Sequence, residues 1–239
     1  MSRLQAIAEA AAREQGVDQE ERVSSGGSGI TESGCYIAVV KMAKLVDAGS
    51  GAVGIAIELE TEDGKKVRTT EWIQSGDAKG NKTTYQNKDG NTMNLPGFTQ
   101  AKNINFLLSG VFGLPTDQEK QIKEYDWENK QEITVTRPVI VDWINKPIGI
   151  CVKMTMEDKY NAETEFTTKP IIEHYYDPLT NQFGSEKIGS KEAENKDKFL
   201  ESIAKNPVRD KRDKSKNSQG SSTSQSNAST SQTTTNVGF

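Results

Sequence analysis

Alternating apolar and polar positions near the start of the chain predict three consecutive β-strands. Tyr36–Val46 is rich in apolar and β-branched residues and ends at a turn that contains Gly and Ser. Val53–Glu60 alternates apolar side chains with polar or small ones, which is the period of a strand with one buried face. The turn sequence Glu62–Gly64 leads into Val67–Gln74. Because both connections are short, we expect the three strands to form an antiparallel meander.

A long polar segment follows the third predicted strand. It contains Thr83–Tyr85 and Thr92–Asn94 on either side of an Asn-Lys-Asp-Gly turn sequence, and this arrangement predicts a protruding hairpin. Apolar residues then recur at helical spacing and stop at Gly113–Pro115. This spacing predicts a helix over Thr99–Val111.

The remaining elements suggest the fold class. Strands are predicted over Glu132–Thr136, Ile148–Met156 and Thr168–Tyr176, and a short helix is predicted at Lys191–Ala204. A meander followed by a helix and further strands is the element order of the OB-fold, a small Greek-key barrel. We therefore predict a mainly β, OB-fold-like barrel with one helix between strands, short terminal helices and a disordered C-terminal tail. A β-sandwich is the alternative, since it needs the same strands but not the central helix.

Composition divides the chain into five predicted segments. These are an N-terminal helix (1–23), a flexible linker (24–29), the barrel domain (30–176), a helical extension (177–204) and a disordered tail (205–239), which is basic and then rich in Ser, Thr, Gln and Asn. Six basic and two acidic residues give the tail a net charge of +4, whereas residues 1–204 carry −8. Such a tail is typical of a solvated, disordered segment. The alternative is a basic arm that touches nucleic-acid phosphates.

The residues that the chain lacks exclude several chemistries. Two cysteines and one histidine cannot supply a zinc site of the usual Cys/His composition, and we expect both cysteines to be free thiols. Gly76–Thr83 has the wrong spacing for a P-loop, because three residues separate its glycines and Asn81 precedes Lys82. No apolar run is long enough to span a membrane, and no secretory signal is present. We predict a non-enzymatic protein without catalytic residues, metal or cofactor.

Basic and aromatic residues are interleaved in the third strand and in the polar segment after it. Lys66, Arg68 and Trp72 share one face of the strand by alternation. The polar segment adds Lys79, Lys82, Tyr85 and Lys88. Lysines can follow a phosphodiester backbone, and an aromatic ring can stack on any base. The structural alternative is that Trp72 covers one end of the barrel and the basic residues are ordinary surface.

Acidic residues near the second strand raise the question of a metal-dependent nuclease. Glu58, Glu60, Glu62 and Asp63 could in principle hold a metal ion. However, Glu58 and Glu60 lie on the polar face of an amphipathic strand, and the other two belong to a turn sequence. We therefore interpret these four residues as solvated surface. Trp127 and Trp143 are expected in the core or at its rim.

Three stretches resemble the single-stranded DNA-binding proteins of tailed bacteriophages. They are Val40–Gly54, Trp72–Tyr85 and Leu95–Phe98, and the similarity covers roughly residues 33–160. It implies an OB-fold that coats single-stranded DNA in phage replication, recombination or repair. By position, the implied DNA contacts are Lys44, Lys66, Arg68, Trp72, Lys79, Lys82, Tyr85 and Lys88.

The resemblance also implies partners and a location. The partners are single-stranded DNA and phage or host replication proteins, with no membrane association, and a homo-oligomer is left open. The location is the cytoplasm of the infected bacterial host. The family often has an acidic C-terminal tail, whereas the tail here is basic and then uncharged. The runner-up function, from a different class, is a virion or scaffold protein that binds another protein through the barrel.

Overall fold

The computed structural model describes residues 2–14, 29–126, 128–159 and 165–212. Within these ranges the fold is mainly β, as predicted, with few helices. The helices are α1 (Arg3–Glu14), α2 (Pro96–Ser109), α3 (Gly184–Ile188) and α4 (Asn195–Lys205). The strands are β1 (Gly34–Asp47), β2 (Val53–Thr61), β3 (Lys66–Gln74), β4 (Thr84–Gln86), β5 (Thr92–Asn94), β6 (Gln118–Asp126), β7 (Gln131–Val139), β8 (Pro147–Asp158), β9 (Phe166–Tyr176) and β10 (Val208–Asp210).

One large sheet organises the molecule. Its neighbouring strands run β3–β2–β1–β8–β9, and each of these pairs is antiparallel. The first half of β1 pairs with β8, and its second half meets the end of the β6–β7 hairpin at Lys44 and Val139. The short β4–β5 pair forms a separate hairpin. The predicted meander and the predicted hairpin are therefore confirmed.

The sheet does not close into a barrel through backbone hydrogen bonds in the part of the chain that the structure describes. There, β3 pairs only with β2, and β9 pairs only with β8 among the named strands. Side chains bridge the two strands instead, because the buried Tyr175 hydroxyl donates to the Glu71 carboxylate at 2.8 Å. The Gln100 side-chain amide also donates to the backbone carbonyl of Glu173 in β9, at 3.5 Å. Helix α2, which supplies Gln100, packs on β3 beside this gap.

The main core lies between the inner face of the sheet and α2. The inner faces of β2 and β8 supply isoleucines such as Ile55 and Ile150, both fully buried. Trp143 is also fully buried, and its indole N–H donates to the Asn105 side chain of α2 at 3.1 Å. Trp143 is therefore a core residue, as expected, whereas Trp127 lies outside the described residues. Helix α2 begins at Pro96, three residues before the predicted start, because proline suits the first turn of a helix.

The N-terminal helix packs directly on the sheet domain instead of standing apart as a separate segment. Leu4 and Ile7 are buried in the main core. At the other end of the helix, the Glu14 carboxylate accepts hydrogen bonds from Thr83 and Thr84 at 2.8–3.1 Å. The rest of the predicted helix, 15–23, lies outside the described residues, as does the predicted linker except Gly29.

The C-terminal region is ordered further than predicted. Disorder is predicted from residue 205, but β10 adds Val208–Asp210 to the sheet, parallel to β8. Arg209 in this strand pairs with Glu173 of β9. That part of the disorder prediction is wrong, and residues 213–239 lie outside the described ranges. No helix in the described ranges is long and apolar enough to cross a membrane.

Candidate nucleic-acid interface

The outer face of β3 carries the residues that alternation predicts. Lys66, Arg68 and Trp72 point outward, whereas Val67 and Ile73 are buried in the core. The strand is antiparallel to β2, so each outward residue of β3 has an outward neighbour on β2. At about 3.3 Å per residue, the six steps along the strand from Lys66 to Trp72 cover about 20 Å. The outer face of β3 is therefore a row with cationic groups at one end and an indole at the other.

Trp72 is held in place from both sides while its ring stays at the surface. Its backbone pairs with Gly54 of β2, and a Cβ atom at Gly54 would lie 2.9 Å from the indole Cε3. On the other side, a Cβ atom at Gly97 of α2 would lie 2.4 Å from the Trp72 carbonyl oxygen. Both glycines therefore allow close contacts that a larger residue would block. The residue remains 36% exposed, which is high for a tryptophan anchored this closely.

A groove of about 370 Å³ opens beside the Trp72 ring. Gln74 extends the β3 side, and Ser50 and Ala52 come from the turn between β1 and β2. The opposite side is formed by the loop after β3 and by the start of α2: Ser75, Gly76, Ala78, Lys79, Leu95, Pro96 and Gly97. The groove thus combines an exposed indole, apolar walls and one lysine.

The loop after β3, residues 75–82, has a defined shape that presents its lysines outward. The Ser75 amide donates to the Lys82 carbonyl, and the Lys82 amide donates to the Ser75 hydroxyl, both at 2.8 Å. A single 3₁₀ turn, Asp77–Lys79, follows, and the next two residues adopt left-handed conformations. The Asp77 amide donates to the Ser50 carbonyl at 2.9 Å, which fixes the loop to the β1–β2 turn. Lys79 and Lys82 are both exposed.

The β4–β5 hairpin carries the last two predicted residues away from the groove. Tyr85 lies opposite Met93 and is half-buried, whereas Lys88 is exposed at the tip. The Asn87 side chain shapes this tip by accepting hydrogen bonds from the amides of Asp89 and Asn91. Tyr85 and Lys88 are therefore outside the groove lining, and the structure brings only Trp72 and Lys79 together there.

Two of the predicted cations are paired with carboxylates. Lys44 lies on the same outer face, in one cross-strand row with Ala56 and Thr70, but its ammonium group pairs with Glu124 of β6. Arg68 pairs with Glu58 of β2 at 3.2 Å. In contrast, no ion pair to a described residue is formed by the remaining four lysines of the prediction: Lys66, Lys79, Lys82 and Lys88.

The acidic residues of β2 behave as surface residues. Glu58 and Glu60 are half-exposed on the outer face, where Glu60 lies 3.6 Å from Lys41. Asp63 pairs with Lys65 in the following turn. Across the described ranges, no group of three His, Cys, Asp or Glu side chains is arranged to hold a metal ion.

Sequence reasoning predicted part of β7, as Glu132–Thr136, but missed β6 and the charges that it brings. Glu124 bridges Lys44 and Arg137, and the Arg137 guanidinium donates to it at 2.9 Å. Hydrogen bonds from Arg137 and then from Lys44 lower the pKa of Glu124 to about 2. Because β6 is polar and exposed along most of its length, it has no apolar alternation that could have predicted it.

The bridging carboxylate predicts a pH dependence of stability. The pKa of Glu124 in the folded protein is below its ordinary value of 4.5. The ionised carboxylate therefore stabilises the fold fully above pH 4.5, and this contribution is lost as the pH falls towards 2. We expect this loss to be about 1 kcal/mol, because the group is partly screened by solvent. Urea unfolding at pH 7, 4 and 3 measures it, with Glu124→Gln as the comparison. Identical pH dependence in the two proteins would contradict this assignment.

Comparisons with known proteins do not identify a relative. No family model matches the chain, and neither a curated protein nor a solved structure shows significant similarity to it. The resemblance to phage single-stranded DNA-binding proteins therefore stays a prediction that rests on the three sequence stretches.

Proposed function

We propose that this chain is a non-enzymatic protein that binds single-stranded DNA without sequence preference. We place it in phage DNA replication, recombination or repair, in the cytoplasm of the infected bacterial host. The observation that carries the proposal is the Trp72 indole, which lies over Gly54 at the edge of a groove that also holds Lys79. A fixed, exposed aromatic ring can stack on a base, and a cation beside it can bind the phosphate of the same nucleotide.

The element order supports an OB-fold-like architecture. The strands lie in the sheet order β3–β2–β1–β8–β9, and α2 comes between β3 and β8 in the chain. This is the order expected of a five-stranded barrel that is open between β3 and β9. Partly open barrels are typical of the OB-fold, and its strand face and loops bind oligonucleotides. In our proposal the outer face of β3 and the groove form that surface.

The charge distribution supports binding along a restricted path. Residues 1–204 carry a net charge of −8, which disfavours contact between nucleic acid and most of the surface. Lys66 at one end of β3, Lys79 and Lys82 in the loop, and Lys88 at the hairpin tip form no ion pairs to described residues. These ammonium groups can exchange counterions for phosphates without first breaking a salt bridge. Stacking by Trp72 would add affinity without base discrimination.

Fluorescence anisotropy with a labelled oligo-dT and the matching duplex tests the proposal. We expect tighter binding to the single strand, and a logarithmic affinity that falls with logarithmic salt by about 0.7 per neutralised phosphate. Equal affinity for both forms, or no binding at low salt, would contradict it. The latter result would favour the runner-up, a virion or scaffold protein that binds another protein. Degradation of the oligonucleotide that depends on Mg²⁺ would indicate a nuclease instead.

The loop lysines, which form no ion pair to a described residue, predict a change in salt dependence. We expect Lys79→Gln with Lys82→Gln to reduce the salt slope by about 1.4, because two phosphate contacts are lost. Lys44→Gln is the matched control, since Lys44 is already paired with Glu124, and its slope should stay close to that of the wild type. The same anisotropy titration at four salt concentrations measures both slopes. An unchanged slope in the double variant would remove the loop from the DNA path.

A further inference from the structure

The two cysteines face each other across neighbouring strands of the large sheet. Cys35 of β1 is directly opposite Cys151 of β8, although 116 positions separate them in sequence. Residues directly opposite in an antiparallel pair have Cα atoms about 4.5–5.5 Å apart, within the range of about 4.4–6.8 Å found across disulfides. Both cysteines are free thiols in this structure, as the sequence predicts.

The surroundings of the pair come from the C-terminal helices. Cys35 is half-buried, and Cys151 is fully buried in a second core cluster with Tyr176, Phe199 and Ile203. This cluster covers the outer face of β8, opposite the main core. The neighbouring Cys151 thiol lowers the pKa of Cys35. Burial raises the pKa of Cys151.

We infer that Cys35 and Cys151 are a reversible redox pair, which closes into an intramolecular disulfide between β1 and β8 by exchange with a small-molecule disulfide. Cys35 is the entry point because it is the more exposed thiol of the two. Cys151, directly opposite on β8, is already positioned to attack the mixed disulfide that forms first at Cys35. No other protein chain is needed for this reaction.

The exchange balances in two steps. The Cys35 thiolate attacks one sulfur of the small disulfide, forms a mixed disulfide and releases one small thiolate. The Cys151 sulfur then attacks the Cys35 sulfur, the mixed S–S bond breaks, and the second small thiol leaves with the Cys151 proton. The protein loses two protons and two electrons, and the small disulfide is reduced to two thiols.

The expected consequence is a more stable sheet and an unchanged DNA groove. A cross-link between β1 and β8 constrains the unfolded chain over a long loop. Trp72 lies near the other end of β1, beside the Val46–Gly54 pair. The redox pair therefore acts on stability independently of the proposed function, and it holds even if DNA binding is disproved.

Oxidised glutathione, added to the native full-length protein, tests the redox pair. We expect intact mass to fall by two hydrogens, titratable thiols to fall from two to none, and the protein to stay monomeric on a non-reducing gel. The melting temperature should rise by about 5–10 °C and return after dithiothreitol. Cys151→Ser is the matched control, because its Cys35 should retain glutathione as a mixed disulfide, seen as added mass.

Two results would overturn the inference. One is that both thiols of the native protein remain titratable after oxidation, which would mean that the pair is inert. The other is a disulfide-linked dimer through Cys35, which would mean that the sulfurs react between molecules and not across the strands. Circular dichroism of the wild type before and after oxidation shows whether the chain stayed folded in either case.

Discussion

A Trp72→Ala variant should bind oligo-dT about 5- to 150-fold more weakly than the wild type, a loss of about 1–3 kcal/mol. The indole is exposed at the groove edge, so its removal deletes a stacking surface without opening the buried core. Fluorescence anisotropy of a labelled oligonucleotide measures the affinity, and urea unfolding checks that stability is preserved.

Two variants separate stacking from general surface change. Trp72→Phe keeps an aromatic face and should retain most of the affinity. Phe166→Ala removes a more exposed ring from β9, where it contacts Arg212 far along the sheet from the groove, and it should bind as the wild type does. If Trp72→Ala binds as tightly as Phe166→Ala, the indole is not a stacking platform and the proposed site is wrong.

Gly97→Ala should destabilise the fold and disturb the groove together. The added Cβ atom would lie 2.4 Å from the carbonyl oxygen and 2.5 Å from the amide nitrogen of Trp72. Because both are backbone atoms of β3, the clash can be relieved only if α2 moves away from β3. We expect a loss of about 1–3 kcal/mol in the free energy of unfolding. Affinity for oligo-dT should also fall, because Gly97 and its neighbours line the groove.

Gly49→Ala provides the control for Gly97→Ala. Gly49 is exposed in the β1–β2 turn, and nothing lies within 4 Å of a Cβ atom built there. Its unfolding free energy should therefore stay within about 0.5 kcal/mol of the wild-type value. Equal urea midpoints for the two variants would show that α2 does not press on the Trp72 backbone as described.

Alternation along the sequence is sufficient to predict the part of the site on β3. Strict period-2 patterning assigns Lys66, Arg68 and Trp72 to one face, because one buried face fixes the register of a strand. The turn sequences around β2 and in the β4–β5 hairpin were equally informative, since Gly51, Gly64 and Gly90 there adopt left-handed conformations that other residues avoid.

Long-range contacts explain what the sequence could not show. Lys44 looks like a free cation in sequence, yet its partner Glu124 is 80 positions away. Strand β6 is polar and exposed along most of its length, so it lacks the apolar pattern of a half-buried strand. Strand β10 has three residues, too few for any periodicity, and it forms only because the edge of β8 beyond β1 is free to pair.

Intrinsic fluorescence tests the central claim, that single-stranded DNA contacts the Trp72 groove. The chain has three tryptophans, and Trp143 is fully buried. Titration of the wild type with unlabelled oligo-dT should quench its emission, and Trp72→Phe should lose that quenching while anisotropy still reports binding. Quenching that persists unchanged in Trp72→Phe, or a wild type that binds without any change in emission, would contradict the account.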